Sequence, residues 1–579
     1  MPIKILSDEI ASQIAAGEVI ERPASVVKEL IENSIDAGAN EIIVKILNAG
    51  KDLIQVSDNG IGISGDEIEI ALSRHSTSKI NTAEDLFKIR TLGFRGEALA
   101  SIASVSRIQI ASCTLDCNIG TVLNADAGNV ISIRKVGLPS GTDIKVEGLF
   151  YNVPARLKFL KTDSTEKRNI SSLITKFGLA YPSIKFQLEM ENNLVFSTSG
   201  NGNVREVLSS IYDIGTAKQL LEINLMDEKI EIKGFVSTIN ITRSNRKEIN
   251  FYVNGRYIKD IALSTAVIQA YKNLIMVGRY PISVVFISLD PELVDVNVHP
   301  TKSEVRFSKP DYIFSCVQRA VRRGLLSYGD ISTLPNKVWN YPSNEKFYSK
   351  GLLDGEDSIN PISTTEEQEL SDGIVHAPHE QEFQFNIPIL RAIGQIGATY
   401  IVAEGPDGLY LIDQHAAHER ILFEKILEEK EAKVASQDLI EGEVIFLSPQ
   451  YSQILTEEID VFNKLGFKIE NFGQNTFIIR SIPAYINNHD PKGILQAALE
   501  DLEDGKEPFK MDLEDKIVSK ICKKIAIKGG QVLSDVEQKE LINELESCQS
   551  PRTCPHGRPT LIHLPVSLLE RQFGRTGSI

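Results

Sequence analysis

The chain has 579 residues, 42% of them hydrophobic and 24% charged, and carries a formal net charge of −16. This length exceeds what one hydrophobic core supports and indicates two to four domains, while the ordinary composition argues against a wholly disordered chain. The sequence has no run of about 18 apolar residues, which argues against a membrane-spanning helix, and its six cysteines are too few for a disulfide scaffold.

The charge is unevenly distributed. Residues 1–330 carry 38 basic and 38 acidic side chains, whereas residues 331–579 carry 24 and 40. The acidity therefore belongs to the C-terminal part, and the neutral part can hold a local basic groove. This distribution predicts weak, salt-sensitive DNA binding rather than none. The first residues show no basic stretch followed by an apolar one, so we expect an intracellular chain.

The first predicted element is a helix that starts near Pro23 and ends before Gly38. Glu29, Asn33 and Asp36 fall at i, i+4 and i+7, on its polar face. A carboxylate beside an amide suits a general base next to a Mg²⁺ ligand, because Mg²⁺ prefers hard oxygen donors and keeps several waters. For this helix alone, a solvated face is the alternative interpretation.

Three glycine-containing segments follow among predicted strands. Asp58 ends a strand before two glycines, and such an acid can accept a hydrogen bond from an exocyclic amine while the backbone approaches a planar base. A glycine loop at 93–96 leads into a helix whose N-terminus would hold phosphates, and Gly141 and Thr142 enter another strand. Plain turns have the same composition. The strands predict a layered α/β sandwich and cover residues 41–47, 53–57, 107–111, 130–136 and 143–149.

Together and in order, these segments resemble the GHKL (Bergerat-type) ATPase fold shared by gyrase-type topoisomerases, heat-shock protein 90, histidine kinases and MutL. No G-x-x-x-x-G-K-[ST] sequence occurs, which argues against a P-loop. Three stretches resemble the MutL mismatch-repair family specifically: residues 29–39 (ELIENSIDAGA), 93–99 (GFRGEAL) and 150–160 (FYNVPARLKFL). The resemblance implies a GHKL ATPase domain over residues 1–204.

The resemblance also implies roles for individual residues. Glu29 would be the base that activates water, Asn33 would bind Mg²⁺, and Asp58 would bind the adenine of ATP. The other implied ATP-binding residues are Gly62, Thr77, Gly93, Phe94, Arg95, Gly96, Thr142 and Lys302.

Lys302 lies in a second α/β unit, the S5-like transducer domain expected over residues 205–330, with strands at 229–237, 248–253 and 283–289. By itself Lys302 is an ordinary surface lysine, but the resemblance implies that it reaches the γ-phosphate. A cation there favours ATP over ADP, because the extra phosphate charge is what it meets.

Basic residues of the second unit are the DNA-binding candidates. Arg256 resembles a family position that contacts the backbone of double-stranded DNA, and such contacts carry no sequence information. Arg243, Arg246 and Lys247 form either a basic patch or a solvated face. Residues 331–388 read as a flexible acidic linker, because prolines and acidic residues replace apolar periodicity.

The C-terminal region, residues 389–579, is expected to be an α+β dimerisation and endonuclease domain. A predicted hairpin at 399–413 delivers Asp413 to a helix that starts near His415, so that His415 and Glu419 lie at i and i+4. Cys522, Cys554 and His556 follow downstream. Thiolate, imidazole and carboxylate together suit zinc, although any one of these residues could be structural.

The combination resembles endonuclease-competent members of the MutL family. The Asp-Gln-His-Ala-x-x-Glu-x-x-x-x-Glu signature fits from Asp413 to Glu424, and family motifs match at Cys522, at 554–559 and at 573–575. Asp413 and Glu419 would be catalytic, and the metal ligands would be Asp413, His415, Glu419, Cys522, Cys554 and His556. The family uses Mn²⁺ for activity and Zn²⁺ in a regulatory or structural role.

Partners follow from the same resemblance. We expect a homodimer in the bacterial cytosol and nucleoid that acts with the mismatch-recognition protein MutS. Residues 437–440 (QDLI) could dock on the replication sliding clamp, although such short motifs arise by chance. Two alternatives are weighed: a matchmaker ATPase whose C-terminal residues hold structural zinc only, and a topoisomerase-like or chaperone ATPase. Residues 150–160 and the lack of a recognisable tyrosine-bearing cleavage domain weigh against the second.

Overall fold

The computed structural model describes residues 20–79, 91–93, 96–117, 119–227, 229–272, 274–276, 278–290, 293–295, 305–327, 387–432, 434–486, 490–502, 513–527 and 530–573. Nearly all of the predicted linker lies outside these ranges. No helix within them combines the length and apolar character needed to cross a membrane.

The first helix, α1 (Pro23–Asp36), forms where the sequence predicts it. Pro23 occupies the first turn, where its missing N–H breaks no helical hydrogen bond. The helix ends as Gly38 takes the left-handed conformation at φ +71°. The apolar face, with Val26, Leu30 and Ile31 at 1% exposure or less, packs into the core of the adjoining sheet, which leaves the face of Glu29, Asn33 and Asp36 for the site.

An eight-stranded mixed sheet forms the N-terminal domain, in the order β5-β4-β3-β6-β2-β1-β7-β8. Strands β1 and β7 pair in parallel and the other neighbours are antiparallel. Because β2 and β6 are neighbours near the centre, the end of β2 lies opposite the start of β6. The strands are β1 (Glu41–Leu47), β2 (Leu53–Asp58), β3 (Arg107–Cys113), β4 (Gly120–Asp126), β5 (Asn129–Val136), β6 (Gly141–Glu147), β7 (Lys185–Met190) and β8 (Asn193–Ser197).

Further helices cover this sheet and lead into the second domain. The longest is α4, whose N-cap Thr162 accepts a hydrogen bond from the backbone N–H of Thr165 at 3.4 Å. The helices are α2 (Ala98–Ser104), α3 (Pro154–Phe159), α4 (Asp163–Ala180), α5 (Val204–Ile211) and α6 (Ile214–Lys218).

The second domain has a five-stranded sheet in the order β13-β12-β15-β10-β9, with its own hydrophobic core. The three strands predicted for this unit are confirmed to within one residue. Its elements are β9 (Leu220–Asp227), β10 (Ile230–Ser237), β11 (Thr242–Arg243), β12 (Ile249–Val253), β13 (Arg256–Ile258), α7 (Ile261–Ala270), β14 (Tyr280–Pro281), β15 (Ser283–Leu289), β16 (Val294–Asp295), β17 (Arg306–Phe307) and α8 (Pro310–Ser327).

The C-terminal region contains two hydrophobic clusters. One lies beneath a four-stranded sheet, β18-β19-β20-β24, and the other beside a three-stranded sheet, β21-β23-β22. Its elements are β18 (Arg391–Ile396), β19 (Tyr400–Gly405), β20 (Gly408–Asp413), α9 (Gln414–Ala432), β21 (Ser436–Phe446), α10 (Pro449–Glu457), α11 (Ile459–Lys464), β22 (Lys468–Gly473), β23 (Thr476–Pro483), α12 (Pro491–Leu502), α13 (Leu513–Ile525), α14 (Asp535–Ser547), β24 (Leu561–Pro565) and α15 (Val566–Gln572).

Candidate functional sites

Asp58 lies at the end of β2, in a polar pocket below α1. Its Oδ2 accepts a hydrogen bond from Ser34 Oγ at 2.7 Å, and its Oδ1 accepts the Gly60 N–H at 2.9 Å. Burial raises the pKa of Asp58, while the hydrogen bonds from Ser34, Gly60 and Thr142 work against that rise. The carboxylate is therefore fixed in place and partly shielded from water. This shielding strengthens a hydrogen bond that the carboxylate accepts from a ligand amine.

Two glycines beside Asp58 cannot carry a side chain. Gly62 has φ +75°, and an added Cβ would lie 2.2 Å from the carbonyl oxygen of Cys113. Gly141 has φ +121°, and its added Cβ would lie 2.1 Å from the carbonyl oxygen of Asp58. At these two positions the backbones approach closely, which gives the predicted glycines a concrete steric reason. Next to Gly141, the Thr142 hydroxyl lies 2.9 Å from Ser112 Oγ.

The polar face of α1 meets a lysine that the sequence reading did not single out. Lys79 Nζ donates to Asn33 Oδ1 at 2.9 Å and to Asp36 Oδ2 at 2.6 Å. Asp36 also accepts the backbone N–H groups of Leu92 and Gly93 at 2.9 and 3.0 Å. Asp36 thus anchors the start of the glycine loop, and the Asn33 oxygen predicted to bind Mg²⁺ already faces a cation. A metal ion at this oxygen would require the Lys79 ammonium to move away, because the two cations would compete for the same position.

Glu29 lies one turn before Asn33 on the same face. Its side chain is 20% exposed, and Lys28 Nζ lies 3.7 Å from its Oε1. A half-buried carboxylate with one loose ion pair keeps oxygen lone pairs available for a water. This geometry is compatible with the predicted role as a base.

The remaining phosphate-side residues are only partly described. Thr77 Oγ1 accepts the Lys79 backbone N–H at 3.1 Å. Gly96 has φ +63°, and a Cβ added to it would lie 2.5 Å from the carbonyl oxygen of Ser76. Gly93 lies beside Lys79. Phe94, Arg95 and Lys302 lie outside the described residues, so their assignments stay predictions.

Arg256, at the start of β13, joins the second domain to the ATPase domain. Its guanidinium donates to the carbonyl oxygen of Thr91, next to the segment that Asp36 anchors. Burial lowers the pKa of Arg256, whereas the nearby Glu32, Asp36 and Glu29 raise it. Arg256 therefore uses one donor within the protein, and its predicted contact with DNA stays a prediction.

In the C-terminal region, Asp413 and His415 lie at the junction of β20 and α9. Asp413 Oδ1 accepts the backbone N–H groups of His415 and Ala416 at 2.9 and 3.0 Å and so caps the helix. His415 Nδ1 lies 2.8 Å from the carbonyl oxygen of Ile527, which fixes the ring. Its Nε2 then faces Glu419 Oε1 at 3.2 Å.

Glu419 is the residue on which the other candidate ligands converge. It is 3% exposed. Burial opposes its ionisation, yet the hydrogen bond from His415 and the charges of His556 and Lys523 lower its pKa overall. Burial raises the pKa of the Cys522 and Cys554 thiols, and the charge of Glu419 raises both further. Three chain segments, 413–419, 522–523 and 554–556, thus contribute side chains that interact with this carboxylate.

This convergence stops short of a formed metal cluster. Across the described ranges, no three His, Cys, Asp or Glu side chains form a group that could hold a metal ion. The donor types nevertheless suit Zn²⁺, since thiolate and imidazole are its usual ligands, whereas the carboxylates are the donors that Mn²⁺ prefers. The backbone bond at His415 Nδ1 is also the kind of outer contact that orients a metal-binding histidine.

Residues 437–440 lie on β21, an edge strand of the three-stranded sheet. The pairing of β21 with β23 is irregular between Asp438 and Glu443, and the side chain of Ile440 is fully exposed. The tetrapeptide is therefore accessible to a partner.

The four-stranded sheet carries an apolar face away from its core. Ile393 and Ile562 are 58% and 57% exposed, and Val566 and Leu568 of α15 are also exposed. An apolar face of this kind marks an association surface.

Two features of this site were not predicted from the sequence: the contact of Lys79 with α1, and the role of Asp36 in anchoring the glycine loop. Asp36 was placed on the polar face, but nothing local shows that its partners lie more than 40 residues away. The family resemblance implied a role for Thr77 in the segment 76–79 but none for Lys79.

Comparisons with known proteins match three segments. Residues 20–135 match the histidine kinase-, DNA gyrase B- and HSP90-like ATPase family, residues 208–326 the DNA mismatch repair protein, C-terminal domain, and residues 393–533 the MutL C terminal dimerisation domain. The chain is 37% identical over 640 residues to the DNA mismatch repair protein MutL of Halothermothrix orenii, covering 99% of each chain. It is 36% identical over 642 residues to MutL of Desulforamulus reducens, covering 99% of this chain and 100% of the other. A solved structure of the Aquifex aeolicus MutL ATPase domain complexed with ADP is 27% identical, with a TM-score of 0.38, and the match covers 52% of this chain and 98% of that one.

Proposed function

The chain belongs to the MutL family of DNA mismatch-repair proteins, and on that premise we propose that it is an ATP-driven homodimeric clamp that couples mismatch recognition to nicking of one DNA strand. It has the GHKL ATPase domain and the C-terminal dimerisation domain of that family. The nicking activity is supported by one observation above all, which is that side chains from three chain segments interact with the buried Glu419 carboxylate.

In the ATPase domain, each described residue has a separate task. Asp58 accepts a hydrogen bond from the adenine amine, Asn33 binds Mg²⁺, and Glu29 removes a proton from the attacking water. Gly62 and Thr142 line the base, while Thr77, Gly93 and Gly96 lie towards the phosphates. Phe94, Arg95 and Lys302 complete the phosphate contacts in this proposal.

In the C-terminal region, His415, Glu419, Cys522, Cys554 and His556 would hold the metal, with Asp413 at the adjoining helix start. A bound metal ion lowers the pKa of its water and neutralises charge on the phosphodiester. With the metal bound, Asp413 and Glu419 would be the carboxylates available to orient a water and accept its proton. The His415 ring is fixed by its Nδ1 contact and presents Nε2 to Glu419, so this imidazole would be oriented before a metal binds.

Two surfaces of the C-terminal region would bind other protein chains. The exposed apolar face of the four-stranded sheet buries itself against a second copy, which makes the homodimer. The accessible 437–440 segment docks on the sliding clamp. MutS and double-stranded DNA bind the N-terminal part, with Arg256 contacting phosphates when the domain joint opens.

Plasmid nicking tests the nuclease proposal. With Mn²⁺, ATP and clamp supplied, the wild-type chain converts supercoiled plasmid to the open circle, and Asp413→Asn does not. Asp407→Asn, which changes an acid in the turn between β19 and β20, is the matched control and keeps activity. Equal inertness of wild type and Asp413→Asn overturns the nuclease proposal.

The alternative is a matchmaker ATPase in which the same residues hold structural zinc only. The complete burial of the Cys522 thiol and the engagement of Asp413 as a helix cap favour it. It predicts bound zinc and normal ATP turnover without nicking.

A further inference from the structure

One surface of the C-terminal region contacts both N-terminal domains. It consists of α10, the turn at Asn475 between β22 and β23, and Glu500 on α12, and we call it the docking surface. The segment between the two parts of the chain, residues 328–386, has 59 residues.

Three contacts join the docking surface to the ATPase domain. Asn475 Nδ2 donates to the carbonyl oxygen of Val195 at 2.9 Å. Gln453 Nε2 lies 3.0 Å from Met190 Sδ, and Gln450 Nε2 lies 3.4 Å from Thr175 Oγ1. Helix α10 therefore lies along α4 and beside the β7–β8 hairpin, on the outside of the eight-stranded sheet.

A buried ion pair joins the same surface to the transducer domain. Arg243 Nε lies 3.5 Å from Glu500 Oε1, and the two side chains are 10% and 4% exposed. Glu500 Oε2 also accepts the Ser244 N–H at 3.2 Å. Such a pair is specific, because either charge left alone in that position is strongly unfavourable. Arg243, a candidate for the basic patch, is thus covered in this arrangement.

The composition of the contact is that of a reversible interface. Among the described residues, the buried hydrophobic clusters of the N-terminal domains and of the C-terminal region stay separate. Between described residues, the side-chain hydrogen bonds and the ion pair that cross the junction use amide, hydroxyl, carboxylate and guanidinium groups and the Met190 thioether. Polar interfaces of this kind allow two domains to separate while each domain stays folded.

We propose that the docking surface is an intramolecular latch whose partner is the paired ATPase and transducer domains of the same chain. By gripping both domains at once, the latch fixes their relative orientation. Arg256 of the transducer domain holds Thr91 at the base of the glycine loop, so release of the latch changes the freedom of that loop.

Small-angle X-ray scattering of the full-length chain tests the latch. Glu500→Arg places two cations face to face and should increase the radius of gyration. It should also speed proteolytic cleavage within 328–386 severalfold. The exchange variant Arg243→Glu with Glu500→Arg restores opposite charges and should return both readings towards wild type.

The control is Glu470→Arg, which breaks the exposed Arg480–Glu470 pair between β22 and β23 of the C-terminal region. It should leave the radius of gyration and the cleavage rate unchanged. If Glu500→Arg lowers the melting temperature of the C-terminal region, Arg243→Glu carries the test from the other domain. Unchanged scattering and cleavage in a folded reversal variant overturn the latch. Neither reading depends on ATP hydrolysis or nicking, so its failure is distinguishable from failure of the proposed function.

Discussion

The two candidate sites of this chain differ in how their residues are brought together. In the ATPase domain, Glu29, Asn33 and Asp36 share one helix, and Asp58 ends a strand that lies beneath it. In the C-terminal region, the candidate ligands come from three segments between Asp413 and His556 that the fold brings to Glu419. The first site is built mainly on one helix and the strand beneath it, whereas the second is brought together by tertiary packing of distant segments. Substitutions in each site can test this difference.

The largest effect is expected at Glu29. Glu29→Ala should lower ATP turnover by about 10²- to 10⁴-fold, because general-base catalysis contributes on that order. Binding of ATP should persist, since the helix and Asp58 are unchanged. Turnover by phosphate release and binding by titration with a fluorescent nucleotide measure the two separately. Glu69→Ala, an exposed acid of the same domain, is the control, and loss of binding in Glu29→Ala would give Glu29 a different role.

The next effect concerns the dispersed site. Cys554→Ser and Cys522→Ser should each weaken Zn²⁺ binding by roughly 100-fold or more, because even outer-shell changes cost about 10- to 100-fold. Cys548→Ser is the matched control: its thiol is also buried, but it lies against the carbonyl oxygen of Glu544 rather than at Glu419. Metal content after dialysis is the measurement. Unchanged zinc in both variants would show that the thiols only pack.

The same contrast explains how much could be predicted. Helix α1 and the strands beside it were predicted almost to the residue, because local periodicity, Pro23 and Gly38 carry that information. The DQHA segment was likewise placed correctly at the start of α9. The link from Lys79 to Asn33 and the contact of Glu500 with Arg243 were not predicted, since each joins residues that only the fold brings together.

Asp58 gives a smaller effect, on nucleotide affinity. Asp58→Asn should weaken adenine nucleotide binding by roughly 10- to 100-fold, because a hydrogen bond to a charged group contributes about 1.5–3 kcal/mol. Asp52→Asn, an exposed acid just before β2, is the control. Nucleotide titration is the measurement, and equal affinities for both variants would remove Asp58 from the base-binding site.

The pH dependence of binding tests the same residue independently. The ionised carboxylate accepts the amine hydrogen, and burial raises the pKa of Asp58 above its usual 3.8. Binding should therefore weaken as pH falls through this raised pKa, at a higher pH than an exposed aspartate would give. Asp58→Asn should lack this loss. The same acid limb in wild type and variant would assign it to another group.

A last comparison, made on stability rather than on activity, separates the cost of the left-handed backbone conformation from the cost of close backbone approach in the ATPase site. Gly38 and Gly62 both have left-handed φ angles, +71° and +75°, but an added Cβ meets nothing within 4 Å at Gly38 and overlaps Cys113 O at Gly62. Gly38→Ala should cost about 1–2 kcal/mol, the usual penalty for that conformation. Gly62→Ala adds an overlap that costs about 1–3 kcal/mol more. Thermal unfolding of the ATPase domain with and without ATP measures both, because only Gly62 lies beside the proposed base pocket. Equal losses at the two positions would mean that the Cys113 backbone yields, and that the close approach at Gly62 is not needed to shape the pocket.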